Sequence, residues 1–377
     1  MAVVRPVAQP AGLPLDRIIS SSSYDRTVST TGHSNLFDLT TATPPALSCA
    51  EAVRIAREHF DVSGSARALT SERDQNFHLS AADGREFVLK FANPREDPNV
   101  TDFQTRALLH VASRDPDFPL PRVCTTTRGA TETTVVIGQD QTCVVRLLTY
   151  LPGVPLGEVP STPRLRCRLG QHLARLGRAL ADFSHPAENR EILWDMKHAA
   201  HLAELIPKIQ DAEQRSTTAR IIENFRDRVL PRFEKLRGQV IYNDLNPSNV
   251  LMDADDPERI VGIIDFGDMV RSPLVVDVAV GATYQLRHTA DPFEAATQFV
   301  AAYHAVYPLE QRETDLLFDL VATRLAMSVI ISTWRATLYP ENRDYIMRNV
   351  RPNRVALKHL NDELRTYVQE RLRAACP

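Results

Sequence analysis

The segment Tyr242-Asn243-Asp244-Leu245-Asn246-Pro247-Ser248-Asn249, with Asp265-Phe266-Gly267 after it, constrains this chain more than any other feature. Gln239-Val240-Ile241 is a short apolar run that leads into the motif, and Val250-Leu251-Met252 is a second run directly after Asn249. Asp253 to Glu258 is rich in Asp, holds Pro257 and reads as a turn. Arg259-Ile260-Val261-Gly262-Ile263-Ile264 is a third run, and it delivers Asp265. The pattern predicts a loop carrying Asp244 and Asn249, and a β-hairpin that sets Asp265 beside them. Taken singly, Asn-Asp, Asn-Pro and Asp-Phe-Gly are ordinary turn chemistry. In this order they bring three oxygen-bearing side chains together.

That trio is what phosphoryl transfer from a nucleotide requires. One Asp handles the acceptor hydroxyl, while an Asn and a second Asp hold a cation on the phosphates. Mg²⁺ wants oxygen donors and usually takes only one or two carboxylates. Asp244 is therefore the candidate catalytic residue, and Asn249 and Asp265 are the candidate Mg²⁺ ligands.

The chain has 377 residues, enough for two lobes with separate cores. Its formal charge of −3 gives no case for a nucleic-acid partner. Five cysteines at scattered spacings, with no CxxC pair, point to a reducing cytoplasm and to neither a disulfide framework nor a zinc site. The start lacks the layout of a signal peptide. The apolar run from Leu320 to Ile331 is broken by Arg324 and reads as a buried core helix, so no membrane is expected. Residues 1–45 hold Pro6, Pro10, Pro14 and Ser20 to Ser23, and predict a mobile N-terminal arm.

The rest divides into residues 46–151, mostly strands, and 152–377, mostly helices. Ser48 with Glu51 makes a capping box for a helix to Phe60. Strands follow at Ala66–Leu69, Phe77–Ser80 and Glu86–Phe91, the last two joined by an Ala82-Asp83-Gly84 turn. Thr101 to Ser113 is helical, with Phe103, Ala107, Leu108 and Val111 on one face. A second hairpin runs from Thr133–Ile137 to Thr142–Leu148 across Gly138-Gln139-Asp140, and Pro152-Gly153 breaks the chain. After Pro163, Leu165, Leu169, Leu173, Leu176 and Leu180 recur at helical spacing beside a stripe of Gly170, Ala174, Gly177 and Ala181. Arg164, Arg166, Arg168, Arg175 and Arg178 are expected to form a solvated face. His198 and His201 have no third ligand nearby in sequence, so they are not taken as a metal site.

A cation is needed on the nucleotide. Lys90, in the alternating strand Phe87-Val88-Leu89-Lys90-Phe91, is placed to contact the α- and β-phosphates. The loop over the phosphates would be Ser71 to Phe77, which contains no glycine and ends with Asn76 as a further nucleotide contact. The residue bracing Lys90 is expected at Gln104 rather than at an acid, with Asp102 as the nearby carboxylate. Leu148 to Leu151 are expected to form the hinge that meets the purine through backbone groups.

Together these residues resemble the aminoglycoside phosphotransferase family and, within it, the hydroxylysine-kinase-like branch. The resemblance covers about residues 46–370. It rests on Asn243-Asp244 with Asn249, Ile264-Asp265-Phe266-Gly267-Asp268-Met269, Ser71 to Phe77, Val145-Arg146-Leu147-Leu148, Leu193-Trp194-Asp195, Thr323-Arg324-Leu325 and Trp334-Arg335. Tyr242 stands where the family usually has His, and Ser248 where it has Gly; Asp277 matches the family's loop-anchoring Asp. The resemblance implies a two-lobed, protein-kinase-like α+β fold, with a small antiparallel β-sheet lobe and a larger helical lobe. It also implies transfer of the γ-phosphoryl group of ATP or GTP, with Mg²⁺, to a hydroxyl of a small amino-acid-like or amino-alcohol acceptor. Two alternatives stay open at this stage: a non-catalytic nucleotide-binding regulatory protein on the same fold, and an aminoglycoside phosphotransferase.

The acceptor side has its own signal. Arg324, Ser328, Ser332 and Arg335 form one polar stripe on a helix otherwise filled by Leu325, Ala326, Val329, Ile330 and Ile331. Either the stripe pairs with acids on neighbouring helices, or Arg324 faces the cleft and grips a substrate carboxylate. Arg335 shares the stripe, and Asp195 is the candidate for a substrate ammonium.

Overall fold

The computed structural model describes residues 44–376, apart from 72, 139–140, 288–290, 348–349, 359 and 361. The expected N-terminal arm, up to residue 43, lies outside them. Ser48 opens α1 (Cys49–Phe60) with the reciprocal capping box read from the sequence. The α1 residues Ile55 and Phe60 pack on an antiparallel sheet through Phe77, Leu79, Phe87 and Leu89. That sheet has the order β1 (Gly64–Leu69), β2 (Gln75–Ala81), β3 (Glu86–Phe91), β6 (Gln141–Thr149), β4 (Val123–Cys124), with β5 (Thr133–Ile137) also on β6. Gly84, at φ 86°, makes the β2–β3 turn. The tip of the β5–β6 hairpin, Gln139 and Asp140, lies outside the described residues.

α2 (Pro98–Arg114) starts at the Asp97 cap and lies between β3 and β4. Its predicted apolar face is buried, but against the larger core rather than the sheet core. Phe103 stacks on Phe183 with ring centres 5.9 Å apart. The helix therefore ties the two lobes together.

α3 (Pro163–Ala179) begins the large lobe. Its small-residue stripe meets α6 (Pro292–His304): a Cβ at Gly170 would lie 2.3 Å from the Phe299 carbonyl oxygen. The arginines of α3 depart from the expected solvated face. Arg166 is buried against Gln298 and Ser161, Arg175 makes two 2.9 Å bonds to Asp115, and Arg168 reaches the Glu258 carbonyl, while Arg178 is exposed. Their long stems cover apolar surface and their heads tie the helix to its neighbours.

α7 (Leu317–Leu338) is, among the described residues, the one helix long and apolar enough to cross a membrane, and 83% of its apolar window is buried in the fold. It packs on α5 (Leu274–Gln285) and on α8 (Val350–Lys358), with α4 (Ala212–Asn224) alongside.

Candidate active site

Two short antiparallel pairs hold the floor of the site. β9 (Val250–Met252) pairs with β10 (Ile260–Ile263), the hairpin expected from the sequence, and also with β7 (Val154–Pro155). β8 (Gly238–Ile241) pairs with β11 (Val270–Pro273), so the strand entering the catalytic loop is bonded to the strand leaving Asp265. Between them, Asp277 at the start of α5 accepts from the backbone N–H groups of Tyr242 (3.1 Å) and Asn243 (2.8 Å). It anchors the loop, as the resemblance implied. Burial pushes its carboxyl up to about 6, against the pull of those two N–H groups. Asn243 sits at φ 64°, a left-handed conformation that Asn tolerates, and its side chain holds the Asp268 carbonyl at 3.2 Å.

Tyr242, where His is usual, has a definite task. It is fully buried, its hydroxyl donates to the carbonyl of Ile264, and its ring meets Phe266 edge-on at 5.2 Å. The phenol thus links the catalytic loop to the residue just before Asp265. Asp265 itself is at φ 59°, and its Oδ1 accepts the Gly267 N–H at 3.0 Å. A side chain at position 267 would clash, because a Cβ there would lie 2.9 Å from that oxygen. Strained backbone of this kind persists where surrounding bonds over-determine it.

Asp244 faces a cleft of about 550 Å³ between the lobes, in the range of small-molecule sites. Its Oδ2 accepts from the Asn249 amide at 2.6 Å. That bond uses the nitrogen of Asn249 and leaves its oxygen for a cation. With the Asp265 carboxylate, the donor set is oxygen only, which fits a hard divalent cation. Burial, with Asp268 and Asp265 nearby and Arg324 opposing, pushes the Asp244 carboxyl up to about 8.

The roof is built differently. Lys90 and Asn76 are direct cross-strand partners on β3 and β2, and both line the cleft. Among the described residues Lys90 forms no ion pair, and Asn76 Oδ1 is buried without a partner. The bracing expected of Gln104 is corrected: Gln104 lines the cleft, but its Oε1 accepts from Arg146 at 2.8 Å, not from Lys90. Arg146 is the partner of Lys90 one strand over, and its buried guanidinium also reaches Thr105 and the Thr101 carbonyl, both at 3.3 Å. A buried guanidinium takes the helix's acceptors first, because leaving it unsatisfied is costly. Asp102 is also spent elsewhere, on His185 at 3.0 Å and on Arg106.

Val88 and Leu69 above, with Leu251 and Ile264 below, make apolar walls at the hinge, where Leu148 and Leu151 line the cleft. The backbone of Leu151 makes no hydrogen bond among the described residues, which leaves its N–H and carbonyl for a base. In the glycine-free loop, Asp74 accepts the Asn93 N–H at 3.2 Å, and Arg73 reaches across the cleft to Asp268 at 3.5 Å. The sequence reading passed over Arg73, although it is the one cation in that loop.

On the acceptor side the polar stripe of α7 opens into the same cleft: Arg324, Ser328, Ser332 and Arg335 all line it. Arg324 is 4% exposed and has no carboxylate within ion-pair distance among the described residues. It donates to the Trp194 carbonyl at 3.0 Å and lies over the Trp194 ring, 4.7 Å from its centre. Among the described residues it therefore makes no direct ion pair with an acid on a neighbouring helix. Arg287 and Asn353 complete this wall, bonded to each other at 2.9 Å, with Asn353 also on Ser328 at 2.7 Å. Neither carried a sequence signal, since they come together only through helix packing.

Asp195 is corrected as a substrate ligand. It is 1% exposed and outside the cleft lining. Its side chain caps the following helical segment through the Lys197 N–H at 3.0 Å, and Lys197 Nζ lies 3.3 Å away. His198 and His201 stack on each other, and no group of three metal-ligating side chains occurs among the described residues.

An Asp on a loop, an oxygen-only donor set reaching to the next hairpin and a strand lysine thus line one cleft between a sheet and a helical lobe, the kinds of group that phosphoryl transfer from a nucleotide calls on. The sequence profile of the phosphotransferase enzyme family matches residues 65–313, and the chain belongs to that family. The chain is similar to hydroxylysine kinase of Mus musculus, 28% identical over 324 residues, which cover 80% of this chain and 86% of that one. Hydroxylysine kinase of Bos taurus is likewise 28% identical over 351 residues, 87% and 93% of the two chains. Among solved structures, a microcompartment-associated aminopropanol kinase superposes with a TM-score of 0.61 at 18% identity, covering 87% of this chain and 95% of that one. The fold is the two-lobed kinase-like α+β arrangement, and the protein is a small-molecule phosphotransferase that uses a nucleotide co-substrate.

Proposed function

We propose that the acceptor is an amino acid bearing a side-chain hydroxyl, and that Arg324 holds its carboxylate. The carrying observation is the buried Arg324 guanidinium, which opens into the Asp244 cleft with a carbonyl and an aromatic ring as partners and no carboxylate within ion-pair distance among the described residues. A guanidinium so placed is a two-pronged donor for a substrate carboxylate. The similarity to hydroxylysine kinases supports the same class. A wall carrying Arg287, Arg324 and Arg335 also disfavours polycationic aminoglycosides.

In this reading Lys90 and Asn76 meet the inner phosphates, and the Leu148–Leu151 hinge meets the base of ATP or GTP. Asn249 and Asp265 hold Mg²⁺, which neutralises charge on the phosphates. Asp244 orients the acceptor hydroxyl. As the bond from the γ-phosphorus to its bridging oxygen breaks, the acceptor oxygen takes the phosphoryl group, and its proton passes late to Asp244. A reducing, cytoplasmic setting belongs to the same reading and is supported by five free cysteines.

A nucleotide-consumption screen should find hydroxylated amino acids, 5-hydroxylysine among them, turned over in preference to the matching amino alcohols. Arg324→Met should raise KM for the carboxylate-bearing acceptor ~30-fold or more, in line with loss of a buried charged hydrogen bond, while the nucleotide KM stays close to wild type. Equal use of the decarboxylated acceptor would remove the carboxylate grip.

A further inference from the structure

A phosphate-covering loop normally relies on glycines, which let backbone N–H groups approach the anion. The Ser71–Phe77 loop has none. It presents Ser71, Arg73, Asp74 and Asn76 to the cleft, and Arg73 with Lys90 makes up the small lobe's cations on the cleft wall among the described residues. Arg73 Nη2 stands 3.5 Å from Asp268 Oδ1, and a Cβ on Gly267 would lie 3.7 Å from the same nitrogen. The guanidinium therefore rests on the segment that runs out of the cation-binding Asp265. From the large lobe, Arg190 secures this segment by donating to the Gly267 carbonyl at 2.6 Å.

The pairing of Arg73 is loose. Asp268 is its one carboxylate within ion-pair distance among the described residues, and the arginine side chain is 35% exposed. Burial pulls the Arg73 guanidinium down, but Asp268, Glu96, Asp74 and Asp265 together more than offset it, so it stands in a field of carboxylates. A cation bound at Asp265 would weaken that field, and an incoming polyphosphate would supply a stronger partner.

We propose that Arg73 is the small-lobe ligand of the terminal phosphoryl group of the bound nucleoside triphosphate, exchanging its ion pair with Asp268 for the phosphoryl oxygens. Lys90 sits on the strand and serves the inner phosphates, while Asp244 lies on the floor and serves the acceptor. Arg73 lines the same cleft from the roof loop and rests against the segment that follows Asp265. Its planar fork suits two oxygens of the transferring group, whose charge is spread over the equatorial oxygens in the loose transition state. The loop thus contributes a side chain where a glycine-rich loop contributes backbone.

The test compares binding of ADP with that of its β,γ-imido triphosphate analogue, with no acceptor present, or of the guanosine pair if GTP is the donor. Acceptor identity therefore does not enter the binding comparison, and only the turnover measurement below needs the acceptor. Arg73→Met should weaken the triphosphate analogue about tenfold or more, as loss of a charge-assisted contact would, and leave ADP affinity unchanged. It should lower kcat about 100-fold, and Arg73→Lys should recover part of both losses. Asp268→Asn, which breaks the ion pair but keeps the arginine, should keep at least the wild-type preference for the analogue over ADP, since it removes the partner that the phosphoryl group displaces. Equal weakening of ADP and analogue in Arg73→Met would overturn the proposal. So would an unchanged kcat, or an Asp268→Asn variant that reproduces the Arg73→Met pattern, since Arg73 would then act as a bridge between lobes.

Discussion

The floor and the roof of this cleft are built on opposite plans. On the floor each critical group already has its partner: Asp277 holds two loop N–H groups, Tyr242 holds the Ile264 carbonyl, Asn249 holds Asp244, and Gly267 holds Asp265. On the roof Lys90 has no ion pair among the described residues, Asn76 Oδ1 is an orphan, and Arg73 is held at 3.5 Å. The floor is pre-organised for group transfer, where small displacements are expensive. The roof leaves its cations for the nucleotide to complete, so the energy of binding phosphates is not diminished by breaking strong internal pairs. Arg146 shows the contrast within the roof itself: this second cation, beside Lys90, is fully engaged by Gln104, Thr105 and Thr101. One cation builds the scaffold and its neighbour is kept for the ligand.

The largest effect should come from breaking the floor. Asp244→Ala is expected to lower kcat ~10³-fold or more while nucleotide affinity changes little, because in the proposed reading Asp244 acts on the acceptor. Asp265→Ala should also lose binding of the metal–nucleotide complex. Steady-state kinetics alongside direct nucleotide titration separate the two. A variant at Asp244 that chiefly lost nucleotide affinity would erase the distinction between floor and roof.

A second, smaller effect concerns protons. Without a bound cation, burial and the neighbouring Asp268 and Asp265 push Asp244 up to about 8. A carboxyl raised in the folded state keeps its proton where the unfolded chain has lost it, so stability falls as pH climbs from the ordinary carboxylate range through about 8. A carboxyl raised in this way holds its proton to higher pH, and binding of a divalent cation with nucleotide, which offsets the neighbouring carboxylates, should release a proton from it. Calorimetry in buffers of different ionisation enthalpy would show it, and Asp244→Asn should abolish it. Release that persists in Asp244→Asn would place the proton on another group.

The same contrast explains what was legible in the sequence. The floor is made by short-range chemistry: an Asp, an Asn at fixed spacing, and a hairpin that returns an Asp, all within one stretch of chain. Its hairpin and the meeting of Asp244 with Asn249 could be read directly. The polar stripe of α7 was legible for a similar reason, since four polar side chains on an apolar helix announce a shared face, but what they faced was not. The errors fall where cross-chain geometry decides. Gln104 was assigned to Lys90, yet strand register sets Arg146 behind it as the stronger claimant. Asp195 beside Trp194 looked like a ligand, yet it caps a helix. Arg287 and Asn353 reach the cleft from distant helices, so no local pattern could mark them.

The finest test of the floor is Tyr242→Phe. The phenol hydroxyl is the single group lost, the ring keeps its edge-on contact with Phe266, and the volume of a fully buried site is nearly conserved. The Ile264 carbonyl then loses its phenol donor. A bond of this kind contributes ~1 kcal/mol net, and more if the acceptor finds no replacement. For a chain of this length that corresponds to a drop in Tm of about 1–3 °C, seen in a thermal melt. The effect on activity carries the argument further. Ile264 directly precedes Asp265, which is held at φ 59°. If the phenol helps to enforce that conformation, Tyr242→Phe should weaken cation-dependent nucleotide binding several-fold and leave cation-free nucleotide binding unchanged. A melt shifted as expected with no change in cation dependence would confine Tyr242 to stability, and the floor's pre-organisation would then rest on Asp277 and the Gly267 turn.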